Sequence, residues 1–389
     1  MAVTIDERIA DPGTSGGAAT ARPQDNTVDN VTPPVKWWAA VGAVMTVFIA
    51  YCLIRWVTGP YFKSVPQGPT QVPTWMHIEL TAWQIASIPA ALGLLFWFVV
   101  RPWRRDRRVG VDGILVLGFA LMWFQDPLSS AVNHWFVYNT SMLNMGSWTS
   151  SVPFFSSFGK PGAMTSEPIV FTEGAYVYAM LIAAAFGCLS MRFAKRRFPS
   201  ISTGALVVWC YLTMCVYDIL LEGIIWLPLG IYEYPGGHWK LFSSTYHPYP
   251  LNEMFTIASV FTAISCLRFF TNDKGQMWIE RGIDKVKGGA GKKLALRGLA
   301  AVGAMQVIMF LGYNVPNGIL SSNVQAWPKA VQERSYFTDF LCGDGTPRLC
   351  PSPSLATTRD GVAYIGPDGK VIIPKGVILP KVVPFLKHG

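Results

Sequence analysis

The sequence predicts an all-α polytopic membrane protein with about seven transmembrane helices, N-terminus inside and C-terminus outside, ending in a small irregular or β-containing extracytoplasmic tail. Three observations predict it. Of the 389 residues, 51% are hydrophobic and only 14% are charged, well below the roughly 25% usual for soluble domains, and the mean hydropathy is +0.31. Apolar stretches of about 18 residues or more recur along the chain, a length that soluble folds rarely need. The basic residues behind the net charge of +9 gather in alternate short loops. That placement is a topology signature rather than the footprint of a nucleic-acid partner.

Residues 1–35 are polar and rich in Gly, Ala, Thr, Asp and Pro. They lack the basic start, apolar core and small-residue cleavage site of a signal peptide and are expected to form a disordered cytoplasmic tail. The membrane domain is expected over residues 36–315. Its apolar runs are Trp37–Val57, Ile78–Val100, Gly113–Phe136, Ile169–Met191, Thr203–Ile231, Asn252–Phe270 and Gly298–Val315. Each nearly covers or exceeds a hydrocarbon core of roughly 30 Å at a rise of about 1.5 Å per residue. The third is the least uniform, because Gln125, Asp126, Pro127, Asn133 and His134 interrupt it. Taken alone it could be re-entrant.

The loop charges decide between these readings. Arg101, Arg104, Arg105, Arg107 and Arg108 follow the second run, Arg192, Lys195, Arg196 and Arg197 the fourth, and a series from Lys274 to Arg297 the sixth. The intervening loops 58–76, 137–166 and 232–251 carry only Lys63, Lys160 and Lys240. Seven crossings put all the basic loops on one side, and a re-entrant third run would split them. The protein is therefore expected in the cytoplasmic membrane, in contact with membrane lipid. Trp37, Trp38, Trp56 and Trp226 sit near run ends, where interfacial anchors belong.

Residues 316–389 are expected to cap the outer face. Cys342 and Cys350 flank a turn-rich segment, and a disulfide is expected there in an oxidising compartment. The segment from Val362 to Ile373 reads as a hairpin around Pro367, Asp368 and Gly369. The remaining cysteines, Cys52, Cys188, Cys210, Cys215 and Cys266, lie inside runs with no metal spacing and read as small apolar side chains. No CxxC, HExxH or P-loop pattern occurs, and neither a metal nor another cofactor is expected.

Ionisable groups inside lipid are costly and point to a cavity or a partner. As a helix, the third run would place Asp126, Ser130 and Asn133 on one face with His134 beside it. The fifth would align Tyr211, Asp218 and Glu222, and the fourth carries Glu173 and Tyr176 one turn apart. Asp218 would lie about 22 Å from the inner end of its helix, with Asp126 at similar depth, so a polar pocket opening outward is the economical reading. Asp126, Asp218 and Glu222 are the candidate catalytic residues. Asn133, His134, Glu173, Tyr176, Tyr211 and Trp148 are candidate substrate contacts. His77, Glu79, Glu167 and Glu253 are divided between interface and site.

Several segments resemble the AveC-type spirocyclase family: Gln125-Asp126-Pro127-Leu128 with Asn133, Tyr138-Asn139, Asn144-Met145-Gly146-Ser147-Trp148, Glu167-Pro168, the Asp218 and Glu222 stripe, and Gly230-Ile231-Tyr232-Glu233-Tyr234. The resemblance covers roughly residues 37–315 and neither tail. It implies a membrane-bound cyclase that forms a spiroketal from a polyketide dihydroxyketone, in some members with dehydratase activity. The candidate carboxyls suit that chemistry through acid–base catalysis on a lipophilic substrate. A reading from another class is a non-enzymatic membrane subunit that binds lipid, or a partner through its outer tail, in envelope transport or assembly.

Overall fold

The computed structural model describes residues 32–131, 133–153, 165–355, 363–366 and 368–376, so the expected tail 1–35 lies almost wholly outside the described residues. These residues are mostly helical. Six helices are long and apolar enough to cross a membrane: α1 (Pro34–Val57), α2 (Thr74–Asp106), α3 (Val111–Leu128), α4 (Phe171–Arg197), α5 (Thr203–Leu229) and, last in the chain, α7 (Ala290–Asn323). Between α5 and α7 lies α6 (Leu251–Phe269). It matches the sixth expected run, but with Asn252, Glu253, Thr256, Thr262 and Ser265 buried along it, it falls outside that apolar set.

Local chemistry sets the boundaries. Pro34 occupies the first turn of α1, where a missing N–H costs nothing. Ser202 caps α5 by accepting a hydrogen bond from the Ala205 N–H at 3.2 Å. Gly230, at φ +76°, closes α5 in the left-handed conformation. In α2, α5 and α7, wide i→i+5 turns at Phe96–Val100, Ile219–Trp226 and Phe310–Asn314 immediately precede Pro102, Pro228 and Pro316. Such turns re-route backbone bonds that a proline cannot make. As a result α7 continues through Pro316 to Asn323, beyond the end expected at Val315.

The third run departs most from expectation. Its α-helix stops at Phe119, a 3₁₀ segment covers Met122–Leu128, and the chain then turns. Pro127 has no N–H to donate and clashes with a helical turn before it, while Gln125 finds partners outside its own helix. Asp126, Ser130 and Asn133 therefore do not share a helical face. Ser130 closes a local turn, donating to the Phe136 carbonyl at 2.6 Å and accepting from its N–H at 3.0 Å.

Small residues set the closest helix crossing. A Cβ added to Gly42 on α1 would lie 1.8 Å from the Leu299 carbonyl oxygen, and one on Gly303 would lie 2.4 Å from that of Trp38. Helix α4 is largely buried and packs against α2, α5 and α6, while α3 lies along α7.

The connections fall into two sets. At one end, Arg297 on α7 pairs with Glu280 at 2.6 Å and donates to the Val109 carbonyl, Arg268 pairs with Asp112 at 2.7 Å, and Val35 N–H donates to Arg281. At the other end the segment after α7 is stitched to the loops around it. Thr140 N–H donates to the Tyr336 carbonyl at 2.9 Å, Gln325 N–H to Gly236 at 3.0 Å, and Thr70 N–H to Ser335 Oγ at 2.9 Å. Cys342 and Cys350 are disulfide-bonded within this segment. Tyr364–Ile365 and Val371–Ile372 pair antiparallel, forming the expected hairpin.

Candidate active site

Strand Val137–Tyr138, which follows the broken α3, pairs antiparallel with Tyr232–Glu233, which follows α5. The period of two along a strand turns Tyr232 and Tyr234 to the same face, with Glu233 on the other. Both tyrosines reach a cavity of about 60 Å³ lined by residues of α3 to α7. Three carboxyl side chains line it: Asp126, Glu222 and Glu253. Five tyrosines from four segments face them: Tyr138, Tyr176, Tyr232 together with Tyr234, and Tyr313. Phe136, Phe171, Trp226 and Phe261 complete an aromatic wall.

Each acid is tied to a phenol. Tyr176 donates to Asp126 Oδ1 in a short contact. The Tyr234 hydroxyl lies 2.9 Å from Glu222 Oε2 and 3.1 Å from Glu253 Oε1. A hydroxyl has one proton to give, so if both contacts are hydrogen bonds one glutamate carries a proton and donates it. Asp126 Oδ2 and Glu253 Oε2 receive no hydrogen bond from the described residues. Among those residues, none of the three acids pairs with Lys or Arg. Buried carboxyls without a cation cannot all be ionised, because each added charge repels the rest in a low-dielectric surrounding. At least one acid of the cluster therefore carries a proton. Outside the helices, burial and the neighbouring Asp126 push Glu167 well above the usual carboxylate range. Burial does the same for Glu233, with Arg334 exerting a smaller pull in the opposite direction.

The other expected residues divide. Asp218 is fully buried one turn before Glu222 and accepts from the Tyr249 hydroxyl at 2.5 Å, but does not line the cavity. Tyr176 lines it, and Glu173, one turn earlier on α4, does not. His134 adopts φ +55° and bonds Asp339 Oδ2 at 2.7 Å, fastening the segment after α7. Trp148 packs with Trp56, Trp123 and Phe124 and donates to the Phe124 carbonyl. Tyr211 bonds the Phe255 carbonyl at a partly exposed position. Asn133 lines a separate groove beside α1. Glu253 is the acid that sequence reasoning left undecided, because it begins a helix; its burial appears only once Tyr234 folds over it. Among the described residues no group of three or more His, Cys, Asp or Glu side chains is arranged to hold a metal ion.

A family model described as "Spirocyclase AveC-like" matches residues 106–337. That span contains every residue of the cavity. Neither a curated protein nor a solved structure matches the chain.

Proposed function

The chain belongs to the AveC-like spirocyclase family, and from that premise we propose that it is a membrane-embedded cyclase that closes a spiroketal on a lipophilic dihydroxyketone, with dehydration as part of the same chemistry. The observation that carries this reading is the cluster of Asp126, Glu222 and Glu253, cation-free among the described residues and linked through tyrosine hydroxyls on one aromatic-walled cavity.

The chemistry follows from those groups. A substrate hydroxyl adds to the ketone and gives a hemiketal. A carboxylic acid of the cluster protonates the hemiketal hydroxyl, the C–O bond breaks, and water leaves. The oxocarbenium ion that remains is stabilised by a nearby carboxylate and by the faces of the aromatic wall. The second substrate hydroxyl attacks that carbon and returns its proton to a carboxylate, so one water is lost and the catalyst is restored. In this reading Asp126 and Glu222 exchange the proton, with Glu253 as the third acid. Asp218 holds its place through Tyr249 behind them. The remaining expected contacts, Asn133, His134, Glu173, Tyr211 and Trp148, act on substrate only indirectly. A cavity of about 60 Å³ takes a water or two, so the substrate-bound form has a wider site.

We further read the chain as seven crossings with the N-terminus in the cytoplasm, α6 being the least apolar and the segment after α7 lying outside. Support comes from the loop charges and from the two sets of connections. The functional test is metabolite extraction from cells carrying the wild-type chain, Asp126→Asn or Glu222→Gln. Each replacement keeps size and removes the acid, and each is expected to lower turnover by roughly 10²–10⁴-fold with normal amounts of protein in the membrane. Normal product with both variants would remove proton transfer by these residues from the account.

A further inference from the structure

A second, larger space lies on the lipid side of the same bundle. Between α1 and α7 a groove of about 830 Å³ is walled by apolar side chains, among them Val41, Met45 and Phe48 of α1 and Phe310 and Ile319 of α7. Its floor is polar: Gln125, Gln306 and Asn314 reach it from α3 and α7 and are all but buried.

The three amides form a directed chain. Gln306 Nε2 donates to the Leu121 carbonyl at 2.7 Å. A carbonyl only accepts, so this contact fixes which end of the Gln306 amide is nitrogen. Its Oε1 then accepts from Gln125 Nε2 at 2.6 Å, and that nitrogen also reaches the Gln306 backbone carbonyl at 2.8 Å. Gln125 Oε1 in turn accepts from Asn314 Nδ2 at 2.9 Å. The chain ends on Asn314 Oδ1, which is buried and has no hydrogen-bond partner among the described residues. With the polarity set from the far end, the orphan atom is an acceptor. Asn314 is 7% exposed, and burial without a partner is a state that native structures avoid unless a ligand or water supplies one.

We propose that this groove is a binding site for a lipophilic molecule bearing a hydroxyl group, taken up from the lipid phase, whose hydroxyl donates to Asn314 Oδ1. The volume lies within the range of small-molecule sites, and the lining is mostly apolar, with Ser129, Asn133, Ser321 and Ser322 the polar residues besides the floor. At Asn314 Oδ1, an acceptor, a molecule that offers only acceptors of its own forms no hydrogen bond. The residues adjoining this floor, Asp126 after Gln125 and Tyr313 before Asn314, line the carboxyl cavity. The groove and the cavity are thus opposite faces of one wall. The site does not depend on the carboxyl cavity being catalytic.

The test uses the full-length protein in phosphatidylcholine proteoliposomes and two photoaffinity probes, a long-chain primary alcohol carrying an aliphatic diazirine and its methyl ether. The alcohol is expected to label peptides containing Met45, Phe48 and Phe310 about three- to tenfold more strongly than the ether, the value of one hydrogen bond. Asn314→Leu is expected to erase that preference. Gly318→Trp is expected to suppress labelling by both probes, since a Cβ at Gly318, which also lines the groove, meets open space. Equal labelling by alcohol and ether in the wild type, or labelling undiminished in Gly318→Trp, overturns the proposal. Because neither readout involves turnover, failure here is distinct from failure of the cyclase reading. Should Asn314→Leu not accumulate, the wild-type probe ratio and Gly318→Trp still decide.

Discussion

Glu222 on α5 and Glu253 on α6 share a single hydroxyl, that of Tyr234, at 2.9 and 3.1 Å. The contact fixes the spacing of two acids that would otherwise repel, and it gives a proton a path from one to the other. Tyr234→Phe removes the hydroxyl and keeps the ring. It is expected to lower turnover about ten- to hundredfold, in line with losing a hydrogen bond to a charged group. Product formation at the wild-type rate by purified Tyr234→Phe would show that the bridge is only structural.

Topology makes a second expectation. Reporter fusions after Arg108, Arg197 and Lys287 should report the cytoplasm, and fusions after Trp239 and Pro351 the outside. A cytoplasmic signal from the Pro351 fusion would leave an even number of crossings, and α6 would then be the helix to withdraw.

The crossing of α1 and α7 supplies a third. Gly42→Leu drives a side chain into the Leu299 carbonyl, an overpacking expected to cost about 1–3 kcal/mol or more. Val44→Leu, on a surface that is 68% exposed, should be neutral. Thermal melting in detergent compares the two, and equal midpoints would mean that α1 adds little to the fold.

Glu233 gives the pH dependence. Its carboxyl is fully buried and titrates well above the usual range because of that burial. The folded state therefore holds this proton more tightly than the unfolded chain, whose glutamate titrates near about 4.3. Glu233's contribution to stability is complete below that value and is lost as pH rises towards its folded pKa. Glu233→Gln lacks the titration, so its melting temperature should fall less than that of the wild type between mildly acidic and mildly alkaline buffer. Parallel curves would mean that Glu233 is charged in the folded protein or that its surroundings relax.

Much of this architecture is readable from apolar runs and loop charge, because lipid imposes length and polarity on every helix it touches. The disulfide and the terminal hairpin are local and were equally legible, through Cys342 with Cys350 and through Asp368 with Gly369. Helical phase failed at the third run, where Pro127 ends regular structure, so Asn133 and His134 turn away from Asp126. In the fifth run the wide turn before Pro228 changes the residue period, and Asp218 and Glu222 face different neighbours. Of the site's tyrosines, Tyr138 and Tyr232 lie in strands two residues long and Tyr234 directly follows one. Such strands leave no periodicity to read, and their pairing joins residues far apart in sequence.

The early stop of the α-helical part of α3 at Phe119 makes its far end depend on residues distant in sequence. A nine-residue helix followed by a 3₁₀ turn leaves backbone groups that need partners from elsewhere in the fold. The Leu121 carbonyl finds its donor in the Gln306 side chain of α7, synthesised some 185 residues later. This end of α3 is thus completed by a side chain of α7 and not by its own helix.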